Sequence, residues 1–347
     1  MASTAGDEFR DLLALVRQSG LLAKQPGYYL RKILLNVVMF VGAFVLIAKF
    51  HNNPWIELCN AAFLAFVFAQ LGFIVHDAGH QEIFSGPAGN EVLGLIHSNL
   101  ILGFSYSWWL DKHNHHHCSP NHVTADPDVD LIPFAFSKDQ AATKHGLARL
   151  SVKYQHFFFF PLSLLEAFVL KVDSVRFLMR NKVAHPVIEV SFLILHACWF
   201  LGLLCYLLGW QHAILFFLAQ QAFLGLYLTL IFAPNHQGMP LLDGAAAANF
   251  FREQVLTSRN IKNHPGIDYC TGGLSCQIEH HLFPTMPANK LRAVQKIVKS
   301  YCDSHGVPYH ETSLVQSFRE VYQDLRENSL IVSRGSDGNT VTDRSTL

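Results

Sequence analysis

Four long apolar runs constrain this chain more than any other feature. Residues 33–48, ILLNVVMFVGAFVLIA, carry no charge. Residues 55–75 follow after an HNNPW break, with one acid near their start. Residues 187–208 and 212–233 are separated only by GWQ and read as a hairpin. A helix crosses the hydrocarbon core of a bilayer with about 20 apolar residues, so spans are expected at about 33–50, 55–75, 187–208 and 212–233. Composition agrees. Hydrophobic residues make up 50% and charged residues 15%, well below the roughly 25% of soluble domains. A soluble bundle of buried helices is the alternative, and run length and charge placement argue against it.

Arg10, Arg17, Lys24, Arg31 and Lys32 precede the first run, and Lys171, Arg176, Arg180 and Lys182 precede the third. The segment after the first run has only Lys49, and the 209–211 turn has no charge. The positive-inside rule then places both termini and the 76–186 segment in the cytosol. Residues 92–109 are apolar but interrupted by Gly, Ser and Asn and end in two tryptophans. They read as a helix lying in or dipping into the interface. The expected fold class is an all-α integral membrane protein. It has four transmembrane helices and a cytosolic helical cap (76–186 and 234–330) holding a histidine-rich dimetal site. Residues 1–330 form one domain, and 331–347 read as a disordered tail.

The seven cysteines are irregularly spaced without a CxxC pair, which argues against a disulfide framework. The formal net charge is zero, giving no reason to expect a nucleic-acid partner. The acidic N-terminus is not a signal peptide.

The chain has 20 histidines, and three clusters stand out. HDAGH places His76 and His80 four apart where the second run ends. HNHHH holds His113, His116 and His117 at i, i+3 and i+4, and QIEHH repeats that spacing with Gln277, His280 and His281. These offsets share one helix face, so each cluster can aim two or three side chains at one point. Neutral imidazole suits iron, zinc, copper and nickel. The count exceeds one zinc site and suggests two metal ions. His236, at the end of the fourth run, is a further ligand or a hydrogen-bonded structural histidine. Gln277 is a ligand or a support for one. Ligating histidines donate their second N–H to carboxylates or carbonyls. Asp77, Asp111, Asp126, Asp128, Asp130 and Glu279 are near enough to serve, as is Asn114 within the second cluster. Asp126 and Asp128 could equally be solvated acids of a turn. His115 and His122 lie beside a cluster and off its spacing, and could support its ligands.

HDAGHQEIF, HNHHHCSPNHVTADPD and TGGLSCQIEHHLFPTMP resemble the three histidine boxes of membrane fatty acid desaturases. The third box, which begins with Gln, resembles the front-end and acyl-lipid branch. The match runs over roughly residues 70–325. It implies two iron ions (Fe2+/Fe3+) bound by His76, His80, His113, His116, His117, His236, His280 and His281, with Gln277 at a position needed by the metal site. It also implies O2 as co-substrate and a cis double bond left in a fatty acyl chain carried by CoA or a lipid. Many front-end members carry a fused cytochrome b5 domain. Here the first apolar run begins near residue 33, so a separate donor is expected: a ferredoxin, a flavin reductase or free cytochrome b5. A lipid or alkane hydroxylase on the same scaffold is the near alternative. A metal transporter is a remote one, because transport needs polar residues near the bilayer midplane, where these runs are nearly free of charge.

Overall fold

The computed structural model describes residues 5–129, 131–243, 249–262 and 264–334. In chain order these form α1 (Ala5–Gln18), α2 (Pro26–Phe50), α3 (Pro54–Gly79), α4 (Pro87–Leu95), a π-helical segment (Ile96–Leu102), α5 (Tyr106–Cys118), α6 (Lys138–Thr143), α7 (Gly146–Lys153), α8 (Gln155–Ser163), α9 (Glu166–Arg180), α10 (Pro186–Leu208), α11 (Trp210–His236), α12 (Phe250–Leu256), β1 (Asn260–Ile261), α13 (Pro265–Cys270), α14 (Gln277–Leu282), α15 (Ala288–Ser304), β2 (Glu311–Thr312) and α16 (Leu314–Arg334). The two short strands pair in parallel.

α2, α3, α10 and α11 are long and apolar enough to cross a membrane, and each extends past the run read from the sequence. Their starts have local causes. Proline opens α2, α3 and α10 at the first turn, where its missing N–H costs no hydrogen bond. Asn53 caps α3 by accepting from the N–H groups of Trp55 (3.1 Å) and Ile56 (3.2 Å). Gly209 turns α10 into α11 at φ +74°, a region closed to most side chains. α3 packs on both α2 and α11, and α10 packs on α11 and α2, closing a four-helix group around Leu64, Phe68, Phe200 and Leu204. The outer faces of α2 and α10 leave Leu30, Val38, Val187 and Ile194 exposed, as lipid-facing helices require.

The 92–109 stretch is not one helix. α4 passes into the π-helical segment, which stops at Gly103 with φ +76°, and α5 begins at Tyr106 under a Ser105 cap. The break frees backbone carbonyls, and side chains from two other helices satisfy them. His196 and Trp199 both donate to Leu100 O (3.2 and 2.9 Å). Lys171 donates to the carbonyls of Leu102 and Gly103. Glu189, fully buried, accepts from Ser105 Oγ (2.6 Å), Asn99 Nδ2 (3.1 Å) and the Ser107 hydroxyl.

Cap helices complete the structure. α15 buries Leu291, Val294, Val298 and Tyr301, and α1 packs against α12 and α15. α16 buries Val321 and Leu325 and runs to Arg334. Residues 331–334 therefore continue a helix where a disordered tail was expected, and 335–347 lie outside the described residues. All seven cysteines are free. Gly225 on α11 is an obligatory close approach: a Cβ there would lie 2.4 Å from the Ser163 carbonyl oxygen.

Glu189→Ala would leave the Ser105, Ser107 and Asn99 donors buried without their acceptor, at a cost of about 3 kcal/mol. The melting temperature of the purified chain in detergent should fall, and Glu189→Gln, which keeps an acceptor, should fall less.

Candidate metal centre

The histidines stand on four short stretches of helix. His76 lies in the last turn of α3 and His80 is its C-cap. His113, His116 and His117 end α5, His280 and His281 end α14, and His236 ends α11. All four helix ends meet. Ligand-capable atoms of His76, His80, His113 and His280 lie within 4.8 Å of one another, and so do those of His116, His236 and His281. His117 Nε2 is 3.1 Å from the Nε2 atoms of both His113 and His280, and its ring stacks on His281 with centroids 4.2 Å apart. The two groups therefore adjoin.

The second and third boxes are divided between the groups, so neither aims all its side chains at one point, while His76 and His80 of the first stay together. With 3.6 residues per turn, i and i+4 diverge by about 40° while i+3 lies about 60° to the other side. His113 and His117 accordingly join one group and His116 the other. In α14, Gln277 and His281 face His236 while His280 faces His76.

Outward hydrogen bonds orient several rings. Nδ1 faces Asp77 in His76 (3.0 Å), Asp126 in His116 (2.9 Å), the Thr257 carbonyl in His236 (3.0 Å) and Gln254 Oε1 in His281 (2.8 Å). With these acceptors taking the Nδ1 proton, each of those Nε2 atoms carries a lone pair turned inward. A chain of Nε2 contacts links His76 to His280 (3.1 Å), His280 to His117 (3.1 Å), His117 to His113 (3.1 Å) and His113 to His80 (2.8 Å). An imidazole nitrogen offers one proton or one lone pair, so these five atoms cannot all pair. His281 Nε2 is buried with no partner at all. Clustered inward lone pairs without donors fit cations, and an imidazole-rich set suits first-row transition metals. Burial, reinforced by neighbouring imidazoles, holds His80, His113, His117, His280 and His281 well below their usual range, keeping them neutral and available. Burial also opposes charge on His116, but the Asp126 hydrogen bond and charge prevail and raise it.

Of the six acids expected around the histidines, Asp77, Asp126 and Asp128 lie against them. Asp77 also takes an ion pair from Lys32 (2.8 Å). Asp126 is buried and accepts from the backbone N–H of Asn121 (2.8 Å) and Asp128 (2.9 Å), so it is not a solvated turn acid. Asp128 pairs with Lys112, and its second oxygen lies 3.7 Å from His116 Nδ1. Burial opposes its charge, but Lys112 outweighs this and holds the carboxyl at about 2. The expected supports Glu279, Asn114, His115 and His122 need correction. Glu279 faces away from the histidines, accepting from Asn260 Nδ2 and Tyr309 OH (2.7 Å each); it shares a helix of six residues with His280 but points about 100° away from it. Asn114 is exposed, one residue round α5 from His113, and among the described residues it bonds to neither group. His115 is exposed and bonds back to the Asp111 carbonyl (2.7 Å), while His122 meets Glu253 at 3.3 Å. Asp130 lies outside the described residues. The Gln277 amide nitrogen faces His236 Nε2 at 2.9 Å, and its oxygen accepts from Asn235 (3.0 Å). Gln254, Thr257, Lys32 and Lys112 were not foreseen, since nothing local marks a distant partner. Trp109, stacked on His113 with centroids 4.5 Å apart, stands four residues before it and could have been read from helical spacing.

A cavity of about 320 Å³ opens from the histidines. His76, His113, His116 and His236 line it, and it continues between α3 and α11 along Phe68, Ala69, Leu224 and Leu228. Phe134, Phe136, Phe159 and Phe232 also line it.

Two outcomes follow for the metal-free and metal-bound protein. Asp126→Ala removes the acceptor that orients His116 and should weaken divalent-metal retention about tenfold, measured by metal content after chelator titration. Imidazoles whose folded value lies below 6.5 bind more protons when unfolded than when folded. The metal-free chain should therefore hold its stability above about pH 6.5 and lose it as pH falls below, measured by melting temperature against pH.

The chain matches the family model for fatty acid desaturase over residues 52–313. It is 34% identical to an acyl-lipid (9-3)-desaturase of Physcomitrium patens over 92% of this chain and 62% of that protein. Against the Delta(5) fatty acid desaturase fat-4 of Caenorhabditis elegans it is 31% identical over 87% of this chain and 69% of the relative. The Delta(6)-fatty-acid desaturase fat-3 of the same organism is also 31% identical, over 87% and 70%. This chain thus spans under two thirds of the moss relative and somewhat more of the nematode ones. Four membrane-length helices, histidine groups at their ends and the match over most of the chain agree: this is a membrane protein that belongs to the fatty acid desaturase family of oxidoreductases.

Proposed function

We propose that this chain is an O2-dependent acyl desaturase that leaves a cis double bond in a long acyl chain carried by CoA or a lipid. The observation that supports this most is the convergence of inward-facing imidazole nitrogens at the head of an apolar cavity. His76, His80, His113, His117 and His280 would hold one iron ion, and His116, His236 and His281 the other, with Gln277 beside His236. Two iron ions there supply the oxidising power to break unactivated C–H bonds with O2 and two electrons, which side-chain acids and bases do not provide.

The protein's own share is positional. Asp77, Asp126, Gln254 and the Thr257 carbonyl fix ring orientation through Nδ1. The apolar walls exclude water and hold an alkyl chain in register beside His76 and His116. Relatives named for different bond positions, Delta(5) and Delta(6), share the family, so the position in this chain's product is set by side chains along the cavity. The basic residues before α2 and α10 favour a cytosolic site with both termini on that side. Electrons come from a donor such as a ferredoxin, a flavin reductase or cytochrome b5.

Expression in a host with a compatible reductase, beside a His116→Ala control, tests the reading by gas chromatography–mass spectrometry of total fatty acids. A new unsaturated acid absent from the control is expected. A hydroxylated acid in its place, or no product from protein that retains iron and receives electrons, would overturn it.

A further inference from the structure

The α3 wall of the cavity has one position that its own helix does not explain. Phe68, Ala69, Gly72, Phe73 and His76 line the cavity from α3, and their spacing puts them on one helix face. Gly72 stands on the same side as His76, one turn or about 6 Å before it. Between Val67 and Ala78 it is the only residue of α3 that is not buried. A Cβ built on it would meet no heavy atom within 4 Å, and its backbone is ordinary α-helix. Glycine inside a helix is less stable than alanine, so neither backbone nor packing calls for it here. Gly225 on the facing helix α11 is the contrast, since backbone atoms fill the place of its side chain. What Gly72 provides is empty volume beside His76.

That volume lies on a route. Phe68 and Ala69 continue the α3 lining on the side of Gly72 away from His76, so an alkyl chain running down this face from the histidines passes Gly72. Phe73 is seated elsewhere. Its ring lies so near Gly272 that a Cβ there would be 2.4 Å from it, and it packs with Ile231 and Leu274. The polar lining includes Lys112, Asp128, Gln237 and Asp324, which belong to the cap and to the residue after α11. A CoA or lipid carrier finds its polar surroundings there. The methyl end of an acyl chain is the part that can enter between apolar helices.

Taking the cavity as the acyl site proposed above, we infer that Gly72 is a specificity-determining residue: the methyl-side segment of the acyl chain passes through the space it leaves beside His76, and that space sets how much chain can extend beyond the metal centre.

The test compares the full chain with Gly72→Ala, Gly72→Leu and Gly72→Phe, purified in one detergent, with lauric, palmitic, stearic and arachidic acids as probes. Titration calorimetry reads binding without turnover, and partition into micelles cancels between wild type and variant. Gly72→Ala should raise the melting temperature, because it gains helix propensity in open space. Metal content should match wild type in Gly72→Ala and Gly72→Leu. Gly72→Leu and Gly72→Phe should weaken stearic and arachidic acid about tenfold, roughly the burial of two methylenes, and leave lauric acid unchanged. That pattern supports the assignment. Found together with no unsaturated product in the expression host, it would still support Gly72 as the length limit of an acyl cavity and would overturn only the desaturase reading. An unchanged length preference in Gly72→Phe would overturn the assignment. So would equal loss of every acid with a lower melting temperature in Gly72→Ala, which would make Gly72 a packing residue.

Discussion

Imidazole lone pairs crowded together in a dry interior are the constraint around which this protein is arranged. Five Nε2 atoms in a chain of close contacts cannot satisfy one another by hydrogen bonding. They hold their places because other groups fix them. Nδ1 atoms are tied to Asp77, Asp126, Gln254 and the Thr257 carbonyl, and these acceptors are anchored in turn by Lys32, by the backbone of Asn121 and Asp128, and by α12. The four-helix group brings the ends of α3 and α11 together, and the cap folds α5 and α14 onto them. The result is a preorganised cage whose stability depends on what binds inside it.

Helical periodicity made much of this readable in advance. Four apolar runs foretold four long helices, and the three boxes foretold which side chains would meet. The i, i+3, i+4 spacing was also informative in a way that a single-target reading missed, because an offset of three turns a side chain out of the sector shared by i and i+4. His116 and His280 are the residues that show it.

What could not be read has a common physical origin. Gln254 and Thr257 lie far from any box in sequence and reach the histidines through tertiary packing alone. Glu279 sits between Ile278 and His280, yet its environment is the β1–β2 region, since adjacent residues on a helix point about 100° apart. The break at Gly103 depends on partners from α9 and α10; without them, residues 92–109 would read as one continuous amphipathic element. Local spacing reports faces, and it does not report which distant group occupies them.

Gly225 has a bearing on the bore of the cavity. The α8–α9 junction sits directly against this position, with the Ser163 carbonyl and the Ala167 and Glu166 amides in the space a Cβ would fill. Ser163, Glu166, Ala167, Leu170 and Lys171 form the face that this junction turns toward the cavity. A single hydrogen atom on α11 therefore acts as the spacer that sets how far that wall stands from the opposite one. Any larger residue would lever the wall outward along its whole length, turning a narrow sleeve into a loose one while leaving every histidine in the sequence untouched.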